Sequence, residues 1–254
     1  MAITKTSGSS SPSSKPTASW AKRGTAALAE MEKYEKEVAL SQEQNKRMWR
    51  FWLPDGEEAK ITFVDGHIAS DNSVDFFMFY EHNLMLNGKW GNTFVCTKDM
   101  EPCPICAAAD RPSFVGVFTV IDHRSFTGKD GKVYKDTPKL FVAKKETLKQ
   151  LQMLGGKRGG LAGCTFDVAR TGDKSPSVGS MFDFIEKNTI EDLQKKYVRK
   201  NDKGIVETFF VPADYEHECQ YRTAEELREA IPSLASVAPM GHVSQADKDL
   251  ADQL

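Results

Sequence analysis

The chain has 254 residues, 40% of them apolar and 28% charged, with a formal net charge of −2. That length supports a sizeable hydrophobic core, and the longest uncharged, mostly apolar run, residues 112–121, is far too short to span a bilayer. The first sixteen residues are mostly Ser, Thr, Pro and Lys with no apolar stretch, and the five cysteines are an odd number. A secretory leader and a disulfide framework are therefore set aside, and a reduced cytoplasm is the expected setting.

Residues 1–20 form a Ser/Pro-rich leader that cannot bury enough surface to order itself. Within 21–46 a helical arm is predicted from Thr25, because Ala27, Leu28, Met31, Tyr34 and Val38 recur at three- and four-residue steps. From Arg47 the pattern turns to strands. Met48–Leu53 runs to a Pro54-Asp55-Gly56 turn, Ala59–Val64 alternates, and Val74–Leu86 is dense in aromatics. Asn87-Gly88 signals a hairpin that returns through Trp90, Phe94 and Val95. Further strands are expected at Phe114–Ile121, Lys132–Tyr134, Lys139–Val142, Cys164–Arg170 and Met181–Ile185, with short helices at Lys144–Leu154 and Ile190–Tyr197. The core so defined spans 47–211, and 212–254 is read as an acidic helix, Thr223–Ala230, followed by a flexible tail. Many short strands with few helices suggest a mainly β fold, either a partly open β-barrel with insertions or a β-sandwich.

The most specific motif is Cys96-x6-Cys103-x2-Cys106. A Cys-x2-Cys pair places two thiolates on one tight knuckle, and the earlier Cys can close on the same ion. The hairpin folds His82 back towards Cys96, completing a Cys3His set for one structural Zn2+ in a subdomain of about 82–106; His67 and His123 are the alternative fourth ligands. Pro102-Cys103-Pro104-Ile105-Cys106 also matches half of the zinc-deaminase signature. That signature needs a His-x-Glu, which neither His67-Ile68-Ala69 nor His82-Asn83-Leu84 supplies. With no nucleophile pair, carboxylate dyad or cofactor fingerprint, a non-enzyme is expected.

Charge is segregated along the chain. Residues 129–200 carry 16 Lys and Arg against 9 Asp and Glu, whereas 201–254 carry 4 against 11. Aromatic and basic residues interleave, the pattern that single-stranded nucleic acid needs for stacking bases and tracking phosphates. The candidate contacts are the rings of Trp52, Tyr80, Trp90 and Tyr134 with Arg50, Arg124, Lys139, Lys144 and Lys145. The glycine loop contributes Lys157 and Arg158, and the strand end Arg170. Alternation puts Trp49 with Phe51 and Leu53, and Trp52 with Arg50 and Met48 on the face better suited to a ligand.

The order His82…Cys96…Cys103-x2-Cys106 between aromatic strands, followed by Gly163–Gly172 with its Arg170, resembles the zinc-containing single-stranded-DNA-binding proteins of T-even and related tailed phages. The resemblance covers roughly residues 47–211. It implies an OB-type barrel with an inserted zinc subdomain, binding and protecting single-stranded DNA in phage replication, recombination and repair in the cytoplasm of a bacterial host. It also implies self-association of neighbouring protomers through a basic arm, here Lys22 and Arg23, and an acidic tail that recruits replication proteins. The competing reading is a zinc-stabilised transcription-regulating or protein-interaction module, touching duplex DNA or RNA polymerase through Lys195, Lys196, Arg199 and Lys200.

Overall fold

The computed structural model of the chain describes residues 21–44, 47–86, 89–128, 131–200, 204–231 and 234. The leader over 1–20, the Asn87-Gly88 turn and the tail after 234 lie outside the described residues. Helix α1 (Thr25–Gln44) has no Gly or Pro to interrupt it, and of its apolar residues Leu40 is buried while Leu28, Met31 and Tyr34 stand in solvent.

The sheet comprises β1 (Glu58–Phe63), β2 (Phe77–Leu86), β3 (Lys89–Val95), then, after the short helix α2 (Pro104–Ala107), β4 (Ser113–Asp122). A small hairpin, β5 (Phe126–Thr127) and β6 (Val133–Tyr134), leads into β7 (Thr137–Lys144), helix α3 (Lys145–Gly156), β8 (Cys164–Ala169) and β9 (Met181–Lys187). Helix α4 (Ile190–Lys196), the hairpin β10 (Val198–Lys200) and β11 (Val206–Thr208), and helices α5 (Tyr215–Cys219) and α6 (Ala224–Ala230) follow among the described residues. All strand pairs named here are antiparallel. None of the described helices is long and apolar enough to cross a membrane.

Strand β4 is the hub. Its β-branched and aromatic run is buried on both faces, as a central strand requires. One edge pairs with β7 along its length, from Val115 opposite Lys144 to Asp122 opposite Thr137. The other edge is shared end to end: β2 takes Ser113–Val117 and β1 takes Val120–Asp122. Beyond β1 come β8 and β9, and beyond β2 comes β3. The core between these strands and α3 holds Phe51, Leu53, Phe63, Phe118, Phe141, Leu148, Leu151 and Phe166. Phe63 meets the edges of Phe118 and Phe166 at centroid distances of 5.6 and 5.8 Å. Each such ring contributes about 1.5–3 kcal/mol by leaving water. Gly116 is required in β4, since a Cβ there would lie 2.5 Å from Leu148 and 2.7 Å from Phe76.

Two expectations need correction. Met48–Leu53 is extended but is not a strand of the sheet. It touches β7 through one parallel bridge, Phe51 N–H to Leu140 at 2.8 Å and Leu140 N–H to Trp49 at 2.9 Å, and Leu53 then turns to Ser177. Pro54, lacking an N–H, ends the pairing. The acidic C-terminal segment is also more than one helix with a tail. Asp214 caps α5 through the His217 N–H, and Tyr215 stacks on Phe77 at 5.4 Å. The Tyr215 hydroxyl bonds Asp65, whose carboxyl is pushed up to about 6 by burial.

Candidate metal centre and nucleic-acid interface

The metal candidates are assembled by the β2–β3 hairpin and the knuckle after it. His82 faces Phe94 across the ladder, and Cys96 extends the ladder by one bond, its N–H donating to Tyr80 at 2.8 Å. The chain turns at Thr97, whose carbonyl accepts from Met100 and Glu101. Cys103 then stands at the start of α2, where Pro104 suits the first helical position, and Cys106 lies one turn on.

His82, Cys96, Cys103 and Cys106 bring their four donor atoms within 4.8 Å of one another. The His82 Nε2 lies 3.5 Å from the Sγ atoms of both Cys103 and Cys106, and Cys96 and Cys106 are 3.5 Å apart. An ion at about 2.0–2.3 Å from tetrahedral donors needs them about 3.3–3.8 Å apart, so the residues fit one metal. Four protein donors leave no open position, which makes the site structural. His82 is fully buried, and its Nδ1 lies 2.5 Å from Asp110 Oδ1, the outer hydrogen bond that aims Nε2 at the thiols. Of the two alternative ligands, His123 is elsewhere, between Asp136 and Thr62, and His67 is not in the donor cluster.

The donors' protons follow from the same geometry. Burial pushes the Cys96 and Cys106 thiols up, and the neighbouring Cys103 adds to it. Burial also acts against Cys103, but its hydrogen bonds with His82 and the backbone outweigh it and pull that thiol down to about 5. A bound cation must therefore expel the protons of Cys96 and Cys106. Binding releases those protons, and a lower proton concentration favours their release, so metal affinity rises with pH by about tenfold per unit for each proton displaced. Co2+ titrations at pH 6 and pH 8 check this; equal affinities would contradict it.

A second cluster lies at the far end of the β4–β7 ladder. Trp49 packs on Phe126 at 5.9 Å, and Phe126 stacks on Tyr134 at 5.2 Å with an interplanar angle of 15°. Trp49 and Trp52 are 61% and 55% exposed and Tyr134 41%, so the run faces solvent, not the core. Lys139 sits over Phe126 at 5.8 Å, and Arg124 donates to the Trp52 carbonyl at 3.0 Å. Both cations also bind the buried Asp122 carboxylate, at 2.8 Å each. Burial pushes that carboxyl up, but the two cations outweigh it and hold it below its usual range.

Of the other candidates, Arg170 lies beside this run, held by the carbonyls of Leu53 and Asp173 at 2.9 and 3.0 Å. Arg50 is engaged: it forks onto Glu81 and donates to Thr93 at 3.0 Å. Tyr80 lies under Lys98 at 3.2 Å and packs into the metal module, while Trp90 is exposed on β3. Lys144 and Lys145 are exposed at the opposite end of β7, about 20 Å from the aromatic run by strand length. Lys157 is exposed at the end of α3, and Arg158 lies over Phe184 at 4.3 Å. Lys22, just before α1, pairs with Glu30 of that helix, and Arg23 is exposed beside it.

Sequence reasoning missed Trp49 and Phe126. Alternation assigned Trp49 to the core side, and no local signal shows that a two-strand hairpin brings Phe126 under it. The chain matches no protein-family model and no curated protein.

Proposed function

We propose that the chain binds single-stranded DNA with little base selectivity and that Zn2+ is its structural ion. The observation that carries the reading is the solvent-facing run Trp49–Phe126–Tyr134, with Trp52 beside it and Arg124 and Lys139 along its edge. Every base has a π-face, so such rings bind without reading sequence, while Arg124 and Lys139, two cations on the one Asp122 carboxylate, leave a net positive edge for phosphate. The zinc assignment rests on the donor chemistry, three thiolates and one imidazole in a closed set.

The strand order supports an OB-type barrel. β1, β4 and β7 make a three-strand meander, α3 connects β7 to β8, β8 returns to β1, and the 49–53 segment approaches both β7 and Ser177 before β9. On this reading Arg170 and Trp90 border the strand's path, Lys22 and Arg23 contact a neighbouring protomer, and the acidic tail meets replication proteins. The role is that of a coat on exposed strands during phage DNA replication, recombination and repair.

Titrating the intrinsic tryptophan fluorescence with oligo-dT and with a duplex of equal length tests the reading. Quenching by oligo-dT at concentrations where duplex has no effect is expected. Equal affinity for both would favour a duplex-contacting regulatory module.

A further inference from the structure

Beyond Tyr134 the surface does not flatten. A cleft of about 500 Å³ opens there, lined by Tyr134, Lys135, Lys196, Arg199 and Phe209, and it shares Lys135, Asp136, Lys196 and Tyr197 with a neighbouring cleft of about 310 Å³. These volumes are in the range that small ligands occupy. We infer that the strand continues from the aromatic run into this groove, so that α4 and the β10–β11 hairpin provide a further nucleotide subsite in which Lys196 and Arg199 hold phosphate. This inference rests on the single-strand reading above.

Continuity carries it. Tyr134 is the last ring of the exposed stack and also the first wall of the groove. Across from it, Phe209 has the Arg199 guanidinium 5.7 Å from its centroid, and Lys196 lies 5.1 Å from the Tyr197 ring. Rings with cations at their faces repeat the arrangement of Phe126 and Lys139. The two clefts together bring Lys60, Lys135, Lys196 and Arg199 against Asp136 and Glu186, and Glu207 lies opposite Arg199 in the hairpin register.

The acid nearest the centre is already committed. Asp136 Oδ1 lies 2.5 Å from His123 Nδ1, and His123 Nε2 lies 2.8 Å from the Thr62 hydroxyl, which is 2.8 Å from that of Thr165. A carboxylate on Nδ1 fixes the proton there, so Nε2 accepts from Thr62. Asp136 adopts a left-handed φ of 55°, a conformation uncommon for a residue with a side chain. This chain turns the carboxylate towards His123 and leaves Lys135 and Lys196 to set the sign of the groove.

The test uses the full, metal-loaded chain and oligo-dT of increasing length, from about 4 to about 16 nucleotides, followed by fluorescence anisotropy over a range of salt. Lys196→Ala with Arg199→Ala removes two exposed cations and is expected to keep the thermal transition. On the longest oligonucleotide the log–log salt slope should shrink by about 1.4, from about 0.7 per phosphate released; on the shortest it should not change. An unchanged slope on the long strand while the unaltered chain still binds overturns the groove and leaves the aromatic run standing. Equal losses at every length overturn it too, since the two cations then act as a general field. A loss confined to duplex assigns them to duplex contact and likewise overturns it. No binding of any oligonucleotide by the unaltered chain removes both readings.

Discussion

Stripping the metal, by chelator or by Cys106→Ser, should release helices α1 and α6 from the body of the protein. The donors Cys96 and Cys103 sit in one apolar cluster with Leu40 of α1, Leu86, Phe94 and Ile105 of the hairpin and knuckle, and Leu227, Ile231 and Leu234 at the C-terminal end. The knuckle also holds α6 through polar bonds. Glu101 accepts from the Ala224 N–H at 2.8 Å and from the Tyr221 hydroxyl at 3.3 Å, and Arg222 reaches back to Glu43 of α1 at 2.7 Å. A structural zinc contributes about 10–16 kcal/mol of apparent binding energy, as much as or more than the about 5–15 kcal/mol that stabilises a whole domain. Limited proteolysis should therefore cut α1, the hairpin and α6 rapidly once the metal is gone. The core around Phe63, Phe118 and Phe166 contains none of the donors and should keep its own thermal transition. Cys219→Ser, outside the donor set, should leave both metal content and proteolysis unchanged. Full protection in the chelated protein would refute the coupling.

Removing one ring from the aromatic run should cost about 1–3 kcal/mol of single-strand affinity, roughly five- to 150-fold, with no change in salt slope. Trp52→Ala and Tyr134→Ala are the informative substitutions, since both side chains are exposed and their loss opens no cavity. Lys144→Ala with Lys145→Ala should matter less, because these residues stand at the other end of β7. Anisotropy at several salt concentrations separates the two effects. A Trp52→Ala protein that binds as tightly as the parent would remove stacking from the account.

The parts legible in the sequence are those whose determinants are local. β1 shows its alternation between turn residues, β4 its unbroken apolar run, and the metal set its spacing around one hairpin. What escaped the sequence depends on distant partners. The bridge from Arg50 to Leu140 spans ninety residues, so nothing near Met48–Leu53 reveals how little of it pairs. Arg50, Arg124 and Lys139 read as available cations, yet Glu81 and Asp122 engage all three. The docking of Tyr215–Ala230 was equally hidden, because Thr119, Asp65 and Glu101, its anchors, lie about a hundred residues or more upstream.

The shared edge of β4 has a kinetic consequence. Its β2 side belongs to a hairpin whose two strands are neighbours in sequence, so Glu81 meets Val95 after a short loop closes. Its β1 side forms when Thr62 meets Ile121 of β4, and the outer edge of β1 is covered only when Thr62 meets Thr165, 103 residues on. Loop-closure entropy must be met before such a distant pairing returns any contact energy, and chains dominated by such pairings fold slowly. Joining β1 to β8 is thus the late step. Until it occurs, β1 is an open template on which another chain can add a strand, whereas the metal hairpin is able to close as soon as its own residues are made.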